Sequence, residues 1–443
     1  MMSVTGFYAA PMNADAQYIC SRQVKAKMSG VKNQKSGHFV SRGWVPEPEF
    51  PTPRQYSGPR ILPRPPKPAN GVVAKNIYVT TGRRRICYTR RIGCDQSKHD
   101  QGAHLMARPL PLAFGIVLAL AFGAWAEEPS KNVRQKLYIT NSGGNDVTVV
   151  DLATNKPIGS IVVGPHPHGI VAPKSQDFLL VTIEGGKVGE LVWIDPHTDK
   201  VIERMECGPA PNALAITPDG KFAYVPCSNG YFEVIDVANR KIVERIRTGG
   251  RPHNTACSAD GKHMYLAPMG DVKKVLIAET STRKVIGEIP FSNVVRPIAL
   301  SANEKYLFAQ VDGLIGFEMA EIAGRKVIHR VADTLTDDQK KIPSRSHGLG
   351  VRPDQKELWE CDLAHSEVHV FDLTGAEPKQ TAAIPMGGHV YWLTFSADGK
   401  FCYVSVLSKN EAAVVDTATK QIVARIPAGR EPKRLLAVTV PER

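Results

Sequence analysis

The sequence lacks most of the short motifs that would name a chemistry outright. Its 443 residues contain no C-x-x-C-H haem-attachment motif, no paired C-x-x-C zinc pattern and no P-loop. No Ser-His-Asp order and no paired-carboxylate constellation stands out either. Covalently attached haem, a zinc ribbon and P-loop nucleotide chemistry are therefore not indicated. Any function has to come from residues that the fold brings together.

Cysteine is present but sparse, at 8 residues. Five lie beyond residue 126, an odd number that leaves at least one thiol free. A domain of this size does not need disulfides for stability, so we expect most of these cysteines to be small buried apolar residues. The five are Cys207, Cys227, Cys257, Cys361 and Cys402.

The positive charge is confined to one region. The formal net charge is +13, yet residues 1–105 hold 17 Lys+Arg against 5 Asp+Glu, whereas residues 127–443 hold 38 of each. The larger region therefore has no net charge. Nucleic-acid binding by residues 127–443 is disfavoured, because such binding rests on neutralising phosphates.

The first 105 residues are rich in Pro and Arg and show no sustained helical or strand period, which is typical of disorder. The segment that follows reads as a signal peptide, "MARPLPLAFGIVLALAFGAWAEEPSK". Arg108 supplies a positive n-region, residues 110–122 are apolar, and residues 124–126 form an A-x-A cleavage site.

The predicted organisation is therefore a basic leader at 1–105 from a misassigned start, a signal peptide at 106–126, and an exported body at 127–443. Translation would then begin at Met106. The alternative is an uncleaved signal anchor, the one case in which the chain would stay at a membrane. Both alternatives place the body outside the cytoplasm, in the periplasm or the extracellular space.

An internal repeat dominates the exported body. "PNALAITPDGKFAYVPCSNGYFEVIDVANRKIVERIRTGG" and "VYWLTFSADGKFCYVSVLSKNEAAVVDTATKQIVARIPAG" each read as four short strands with a D-G turn after the first. An acid ends the third strand of each unit, and we expect it to cap the following turn through side-chain-to-backbone bonds. The acids are Asp151, Asp195, Asp236, Glu279, Glu321, Asp372 and Asp416.

Seven four-stranded units, mostly 40 to 45 residues long, predict an all-β fold, a seven-bladed β-propeller. The first unit begins without an innermost strand, and the chain ends on an unpaired one, "PKRLLAVTV". Pairing the last strand with the first unit would complete the seventh sheet and remove an open edge.

The segments "PDGKFAYV", "VIDVANRKIVERI" and "VVDTATKQIVARIPAG" resemble the YVTN-type repeats of exported bacterial and archaeal β-propellers. The resemblance covers roughly residues 137–440. It implies the propeller fold and export, and says little about function, because related propellers include surface-layer proteins, periplasmic binding proteins, lactonases, and copper or haem oxidoreductases. Function must be argued from the site.

Aligning the units places one residue of each innermost strand at the same mouth of the central channel. This ring contains three histidines, two cations and no Asp or Glu, and its members are His168, Asn212, His253, Arg296, His347, Tyr391 and Lys433. The loops that lead into these strands add His166, Arg251, Arg345, His389 and Arg430. The longest connection, "ADTLTDDQKKIPSRSHG", runs into His347 and is a candidate lid.

Two chemistries suit this ring, and a structural role in closing the channel is the third interpretation. His168, His253 and His347 could bind copper or zinc. Positive charge from Arg296, Lys433 and Arg430 would oppose a metal and favour an anionic ligand. With no carboxylate in the ring, the usual hydrolytic base is missing.

Other candidates are weaker. His365 and His369 are four apart, a spacing that on a strand would separate them by about 13 Å, so we expect packing roles and no shared metal. Trp359 and Trp392 are expected to pack between blades. Met269 and Met386 would serve as ligands only for copper.

Three functional hypotheses follow. The first is an exported, monomeric binding or interaction protein that takes a small anionic molecule or another exported protein. The second is a lactonase-like hydrolase of an acidic sugar or lactone. The third is a copper- or zinc-dependent oxidoreductase that uses the ring histidines.

Overall fold

The computed structural model describes residues 133–441. They form seven four-stranded antiparallel sheets and two short 3₁₀ turns, Gln339–Lys341 and Leu407–Lys409. The predicted all-β, seven-bladed propeller is confirmed. The predicted leader and signal peptide lie outside the described residues. Within 133–441, no helix is long and apolar enough to cross a membrane.

The sheets are numbered here in chain order, the first being the one that contains both ends of the described chain. The first sheet comprises β1 (Val133–Asn141), β2 (Asp146–Asp151), β3 (Lys156–Val162) and β28 (Pro432–Pro441). The second comprises β4 (Pro167–Val171), β5 (Leu179–Ile183), β6 (Gly189–Asp195) and β7 (Lys200–Cys207). The third comprises β8 (Ala215–Ile216), β9 (Phe222–Cys227), β10 (Tyr231–Asp236) and β11 (Lys241–Arg247).

The remaining four sheets keep the same order from the innermost to the outermost strand. The fourth comprises β12 (Arg251–Cys257), β13 (His263–Met269), β14 (Lys274–Glu279) and β15 (Lys284–Pro290). The fifth comprises β16 (Val295–Leu300), β17 (Tyr306–Val311), β18 (Gly316–Glu321) and β19 (Lys326–Ala332). The sixth comprises β20 (Ser346–Val351), β21 (Glu357–Asp362), β22 (Glu367–Asp372) and β23 (Lys379–Pro385). The seventh comprises β24 (Val390–Phe395), β25 (Phe401–Val406), β26 (Glu411–Asp416) and β27 (Gln421–Pro427).

The core is divided among the gaps between neighbouring sheets. Seven apolar clusters fill them, one in each gap, including the gap between the seventh sheet and the first. In the gap between the sixth and seventh sheets, Trp359 meets Phe395 edge to face, with ring centroids 5.7 Å apart. Trp359 is therefore a packing residue, and Met386 is fully buried in the same cluster. Burial on both faces explains why the middle strands are continuous apolar runs.

The ring closes through the predicted pairing of the last strand with the first. β1 and β28 pair antiparallel from Val133↔Pro441 to Asn141↔Pro432. This pairing gives the first sheet its innermost strand, so that all seven sheets have four strands.

Each repeat acid ends the third strand of its sheet, just before the turn to the outermost strand. Asp151 Oδ1 accepts from the Ala153 backbone N–H at 2.9 Å, and Asp416 Oδ1 accepts from Thr419 N–H at 2.8 Å. Backbone N–H groups of the following turn also donate to the carboxylates of Asp195, Asp236 and Asp372. Glu279 instead accepts from the Thr282 hydroxyl. Glu321 ends β18 at the same position.

The described cysteines are all free thiols. Cys227, Cys361 and Cys402 are buried in the gaps, and Cys207 and Cys257 are half-buried. Burial is the outcome expected for most of them.

Shortening a side chain at the closing pair should destabilise the whole ring. Leu137 is fully buried and pairs with Ala437 of β28. Leu137→Ala should lower the free energy of unfolding in urea by about 3 kcal/mol, from lost burial and the cavity left behind. Val162→Ala, in the same sheet at a position that is 66% exposed, should change it by less than about 0.5 kcal/mol. Equal effects in the two variants would contradict a closed ring.

Candidate functional site

A β-bulge lies at the ring position of the innermost strands. In the first sheet, Lys433 and Arg434 together face the single residue Thr140, because Pro432 pairs with Asn141 and Leu435 pairs with Ile139. The same shift occurs in the second, fourth, fifth, sixth and seventh sheets. A bulge turns the strand and re-aims its side chains, so two consecutive residues can reach the channel from one strand.

Hydroxyl groups hold these bulges in place. A bulge leaves a backbone N–H without its ladder partner, which must be satisfied in some other way. Thr140 Oγ1 accepts from Arg434 N–H at 3.1 Å and donates to the His168 carbonyl of the second sheet at 2.9 Å. Ser405 Oγ accepts from Trp392 N–H at 3.0 Å and donates to the Lys433 carbonyl at 2.7 Å. Each hydroxyl thus ties one bulge to the next around the ring.

The structure brings four of the predicted ring residues into one group. The rings of His347 and Tyr391 stack with centroids 4.0 Å apart, and His168 meets Tyr391 edge-on at 6.5 Å. Lys433 Nζ lies 5.4 Å from the centroid of the Tyr391 ring. The three ring histidines are buried, whereas Tyr391 and Lys433 are partly exposed. At the channel mouth, the three buried imidazoles therefore form a floor, and the partly exposed Tyr391 and Lys433 form a rim.

Arg434, which the sequence alignment passed over, is the central cation of this group. Its guanidinium carbon lies 3.3 Å from the centroid of the Trp392 ring, a stacked cation–π contact. Nη2 donates to Asn254 Oδ1 at 3.3 Å, so the side chain from the first sheet reaches the fourth sheet. Trp392 therefore packs against the apolar cluster between the seventh and first sheets, as expected, and is also a stacking platform for Arg434.

Arg434 is a buried charge without an anionic partner. The residue is 7% exposed, its Nε atom has no hydrogen-bond partner, and no carboxylate among residues 133–441 pairs with it. Burial lowers the pKa of its guanidinium to about 9. Burying an unpaired cation costs several kcal/mol of folding free energy, so this geometry favours binding of an anion beside Arg434.

Hydrogen bonds assign the protons on two of the ring histidines. Asn254 accepts from Arg434 through Oδ1, so its amide nitrogen donates to His253 Nδ1, 3.0 Å away. His253 therefore carries its proton on Nε2. His347 Nδ1 lies 3.1 Å from the Tyr391 carbonyl, which can only accept, so His347 carries its proton on Nδ1 and has a lone pair on Nε2.

The three ring histidines are neutral at physiological pH. Burial and the nearby positive charges of Lys433 and Arg434 hold the pKa of His168, His253 and His347 well below the usual 6.5. Neutral imidazoles can each donate one hydrogen bond and accept another. They add donors to the mouth without adding charge.

Arg296, unlike Arg434, has a carboxylate partner. Its Nε and Nη2 donate to the two oxygens of Asp312 at 2.5 and 3.0 Å. Asp312 directly follows β17, so it comes from the end of a second strand and was missed by an alignment of innermost strands. The charge of Arg296 is compensated, and the expectation of a ring without acids holds only for the innermost strands.

The remaining predicted residues lie outside the stacked group. Asn212 lies before β8 and turns back on its own backbone, where Oδ1 accepts from Ala213 N–H at 3.0 Å. His166 and Arg430 both bond to carbonyls of the loop after β1, those of Ser142 and Gly143. The three loop residues Arg251, Arg345 and His389 are exposed where the innermost strands begin.

The ring histidines do not converge as a compact metal-binding set. Within the described part of the chain, His168, His253 and His347 are not a trio whose ligand atoms all lie within 4.8 Å of one another. The cations found beside them oppose a metal ion. Copper or zinc in the ring stays a prediction.

The predicted strand position of His365, and with it the predicted separation from His369, was wrong. His365 lies in the turn between β21 and β22 and not on a strand, so the two side chains approach the same carboxylate. His365 Nδ1 lies 2.5 Å and His369 Nε2 lies 3.8 Å from Asp362 Oδ2. His365 Nε2 also bonds to the carbonyls of Gln339 and Ile342. The long connection before His347 is therefore anchored to the sixth sheet.

Comparisons with known proteins support the fold. No family model and no curated protein matches the chain. The periplasmic gluconolactonase of Pseudomonas aeruginosa is similar at 17% identity and a TM-score of 0.59, over 70% of this chain and 100% of that chain. A Lactobacillus plantarum protein has 12% identity and a TM-score of 0.61, over 69% and 100%. Hydrazine synthase of Kuenenia stuttgartiensis has 21% identity and a TM-score of 0.53, over 60% and 87%. At these identities the likeness is one of fold.

The depressed pKa values of the ring histidines predict a pH dependence of stability. Each imidazole is protonated more easily in the unfolded chain, so folding is favoured most above pH 6.5 and the free energy of unfolding falls as the pH drops below that value. In NMR spectra, the three imidazoles should keep neutral-form signals from pH 8 to 6, with assignments from single His→Gln variants. An imidazole that titrates above pH 6 would contradict the neutral floor.

Proposed function

We propose that residues 127–443 act outside the cytoplasm as a YVTN-type propeller that binds a small organic anion at the channel mouth. The observation that carries the proposal is Arg434, a guanidinium that is buried, stacked on Trp392 and without an anionic partner in the described chain. A ligand carboxylate or phosphate would supply the missing counter-charge. Export stays a prediction from the sequence alone.

The surroundings of Arg434 define the chemistry of the ligand. Lys433 and Tyr391 at the rim are partly exposed and offer a second cation and a hydroxyl. His253 adds an Nε2–H donor from the floor. Donors and a charge, with an aromatic surface, suit a polyhydroxylated acid better than a simple inorganic ion. Because Arg296 is already paired with Asp312, it contributes little net attraction.

Replacing Arg434 should remove binding without harming the fold. Gluconate, citrate and phosphate would be titrated calorimetrically into the purified chain. For the anion that binds, Arg434→Met should weaken the affinity by about 10- to 100-fold, the range for losing a charge-assisted bond. The melting temperature of the unliganded variant should stay the same or rise, because an unpaired buried charge is gone.

Arg247→Met serves as the matched control. Arg247 is exposed at the end of β11, on the outermost strand of the third sheet. This variant should bind as the parent does. Unchanged affinity in Arg434→Met, or no binding by any of the three anions, would count against the proposal.

A lactonase-like activity is the second candidate, and the tautomer of His347 favours it. A proton on Nδ1 leaves the Nε2 lone pair free to take a proton from water, and the depressed pKa keeps the imidazole unprotonated. The nearby cations would stabilise the negative charge that develops on a lactone carbonyl. Neither hydrogen bond that assigns the ring tautomers involves a carboxylate, so this base would lack an orienting acid.

Gluconolactone hydrolysis tests this second candidate. If His347 is the base, His347→Gln should lower the turnover rate at least 100-fold, within the range for general base catalysis. His197→Gln, in the outer turn of the second sheet, should leave the rate unchanged. No rate above the uncatalysed reaction for the parent protein would exclude this substrate and leave binding as the function.

A further inference from the structure

A second cluster of ionisable side chains lies between the fifth and sixth sheets, beneath the long connection 333–345. Its members are Asp333, Glu360, Asp362, Glu367, His365 and His369. The side chains of Asp333, Asp362 and His369 are 0% exposed, and Glu360 is also fully buried. We call this the buried acid–imidazole cluster.

The internal repeat shows that the cluster departs from the packing pattern. Glu360 and Asp362 lie in the last part of β21, the second strand of its sheet, and Glu360 Oε2 accepts from Gln310 Nε2 of the fifth sheet at 2.8 Å. Five of the other six sheets place two apolar residues at these register positions, and the first sheet places one. The equivalents are Ile139 and Asn141, Val181 and Ile183, Val225 and Cys227, Leu266 and Pro268, Ala309 and Val311, Val404 and Val406. Two carboxylates at this place serve no need of the fold.

Several atoms of the cluster are buried without partners. Both oxygens of Asp333, Oε1 of Glu360 and Nε2 of His369 have no hydrogen-bond partner. Burial and the neighbouring charges, that of Glu360 first, raise the pKa of Asp333. Unpartnered buried acceptors of this kind are costly unless a cation or donor meets them.

The charges of the cluster do not balance. No Lys or Arg of residues 133–441 forms an ion pair with any of its four carboxylates. Two fully protonated imidazoles would still leave a formal charge of −2. With His369 neutral, as a metal ligand must be, the formal charge of the four carboxylates and a protonated His365 is −3, and one divalent cation would reduce it to −1.

Distances within the cluster suit a single ion. Ligand atoms of Asp333, Asp362 and His369 all lie within 4.8 Å of one another. His369 Nε2 lies 3.4 Å from Glu367 Oε2 and 3.8 Å from Asp362 Oδ2, and Nδ1 of the same ring lies 3.7 Å from Asp333 Oδ2. Metal–ligand bonds of about 2.1 Å place neighbouring ligand atoms at comparable separations. Ser344 and His365 already bond to Asp362, as outer groups that orient a ligand do.

We propose that Asp333, Asp362 and His369 bind one divalent transition-metal ion, such as Zn²⁺ or Mn²⁺, between the fifth and sixth sheets. Mixed imidazole and carboxylate ligands favour these ions over Ca²⁺, which takes oxygen ligands. Glu367 is the fourth candidate ligand. The site is closed to solvent, which is typical of a structural metal and not of a catalytic one.

Binding through Nε2 sets a requirement on Gln380. His369 must then carry its proton on Nδ1, where Gln380 Nε2 lies at 2.7 Å and Thr334 N–H donates to Gln380 Oε1. A half-turn of the amide exchanges its oxygen and nitrogen, so that the oxygen accepts from Nδ1–H. The bond to Thr334, an exposed residue, is then taken over by water.

The metal would fasten the long connection to the sixth sheet. Asp333 is its first residue after β19, and Asp362 pairs with Ser346, the residue before His347. Lys340 and Lys341 in this connection are exposed, with side-chain exposures of 61% and 73%. Metal binding should therefore protect these two positions from trypsin.

The test is metal stoichiometry with a proteolysis readout on the full chain, purified without a histidine tag and stripped with EDTA. After incubation with Zn²⁺ or Mn²⁺ and desalting, we expect about one ion per chain by elemental mass spectrometry. Tryptic cleavage after Lys340 and Lys341 should slow at least 5-fold. Asp333→Asn and His369→Gln should lose both the ion and the protection.

Asp338→Asn is the matched control, because Asp338 lies in the same connection with a 91% exposed side chain. It should keep the ion and the protection. Asp333→Asn is isosteric and removes a buried charge, so it keeps the test valid if His369→Gln fails to fold. An ion retained by Asp333→Asn but lost in His253→Ala would overturn the proposal in favour of the ring, and no retained ion in the parent protein would overturn it outright.

Discussion

Burial of both faces of every sheet is the constraint on which the rest of the structure depends. No blade can cover its own apolar faces, so each depends on two neighbours, and the seven clusters form only if the ring closes. Closure rests on the pairing of β1 with β28. That same strand carries Lys433 and Arg434 to the channel mouth. β28 therefore both closes the ring and carries the cations of the site, so its loss would remove the closure and the cations together.

The position of Arg434 shows how the scaffold holds an unfavourable charge. A bulge aims the residue into the channel, Thr140 satisfies its freed backbone N–H, and Trp392 and Asn254 hold its guanidinium from two other sheets. Burial, helped by this cation and Lys433, also holds the pKa of the three imidazoles low and keeps them neutral. A site that is strained in the unliganded state and relieved by an anion is a common compromise between stability and function.

The sequence predicted the fold well and the site in part, for physical reasons. A period near 42 residues, the D-G turns and the repeat acids follow directly from the chemistry of four-stranded blades, and so does the pairing of the ends. The ring alignment reached His168, His347, Tyr391 and Lys433 because it tracked strand starts. It missed Arg434 and Asn254 because the bulge directs the residue after the ring position into the channel as well. A strict alternation of side chains between the two faces of a strand does not predict that. Asp312 was missed because the ends of the second strands were not aligned, and His365 was misplaced because β21 ends three residues before it.

Departures from the repeat mark the places where this chain spends stability on something other than packing. The ring positions and the sixth sheet are two such places, and β20 connects them. Ser346 lies opposite Asp362 of the buried acid–imidazole cluster, and the next residue, His347, stacks on Tyr391 at the mouth. Whatever compensates the charge of Asp362 thus acts within two residues of the ring. β20 carries His347 and pairs with β21, which carries Glu360 and Asp362, so the two departures lie on adjacent strands and the cluster and the channel mouth are joined through that pairing.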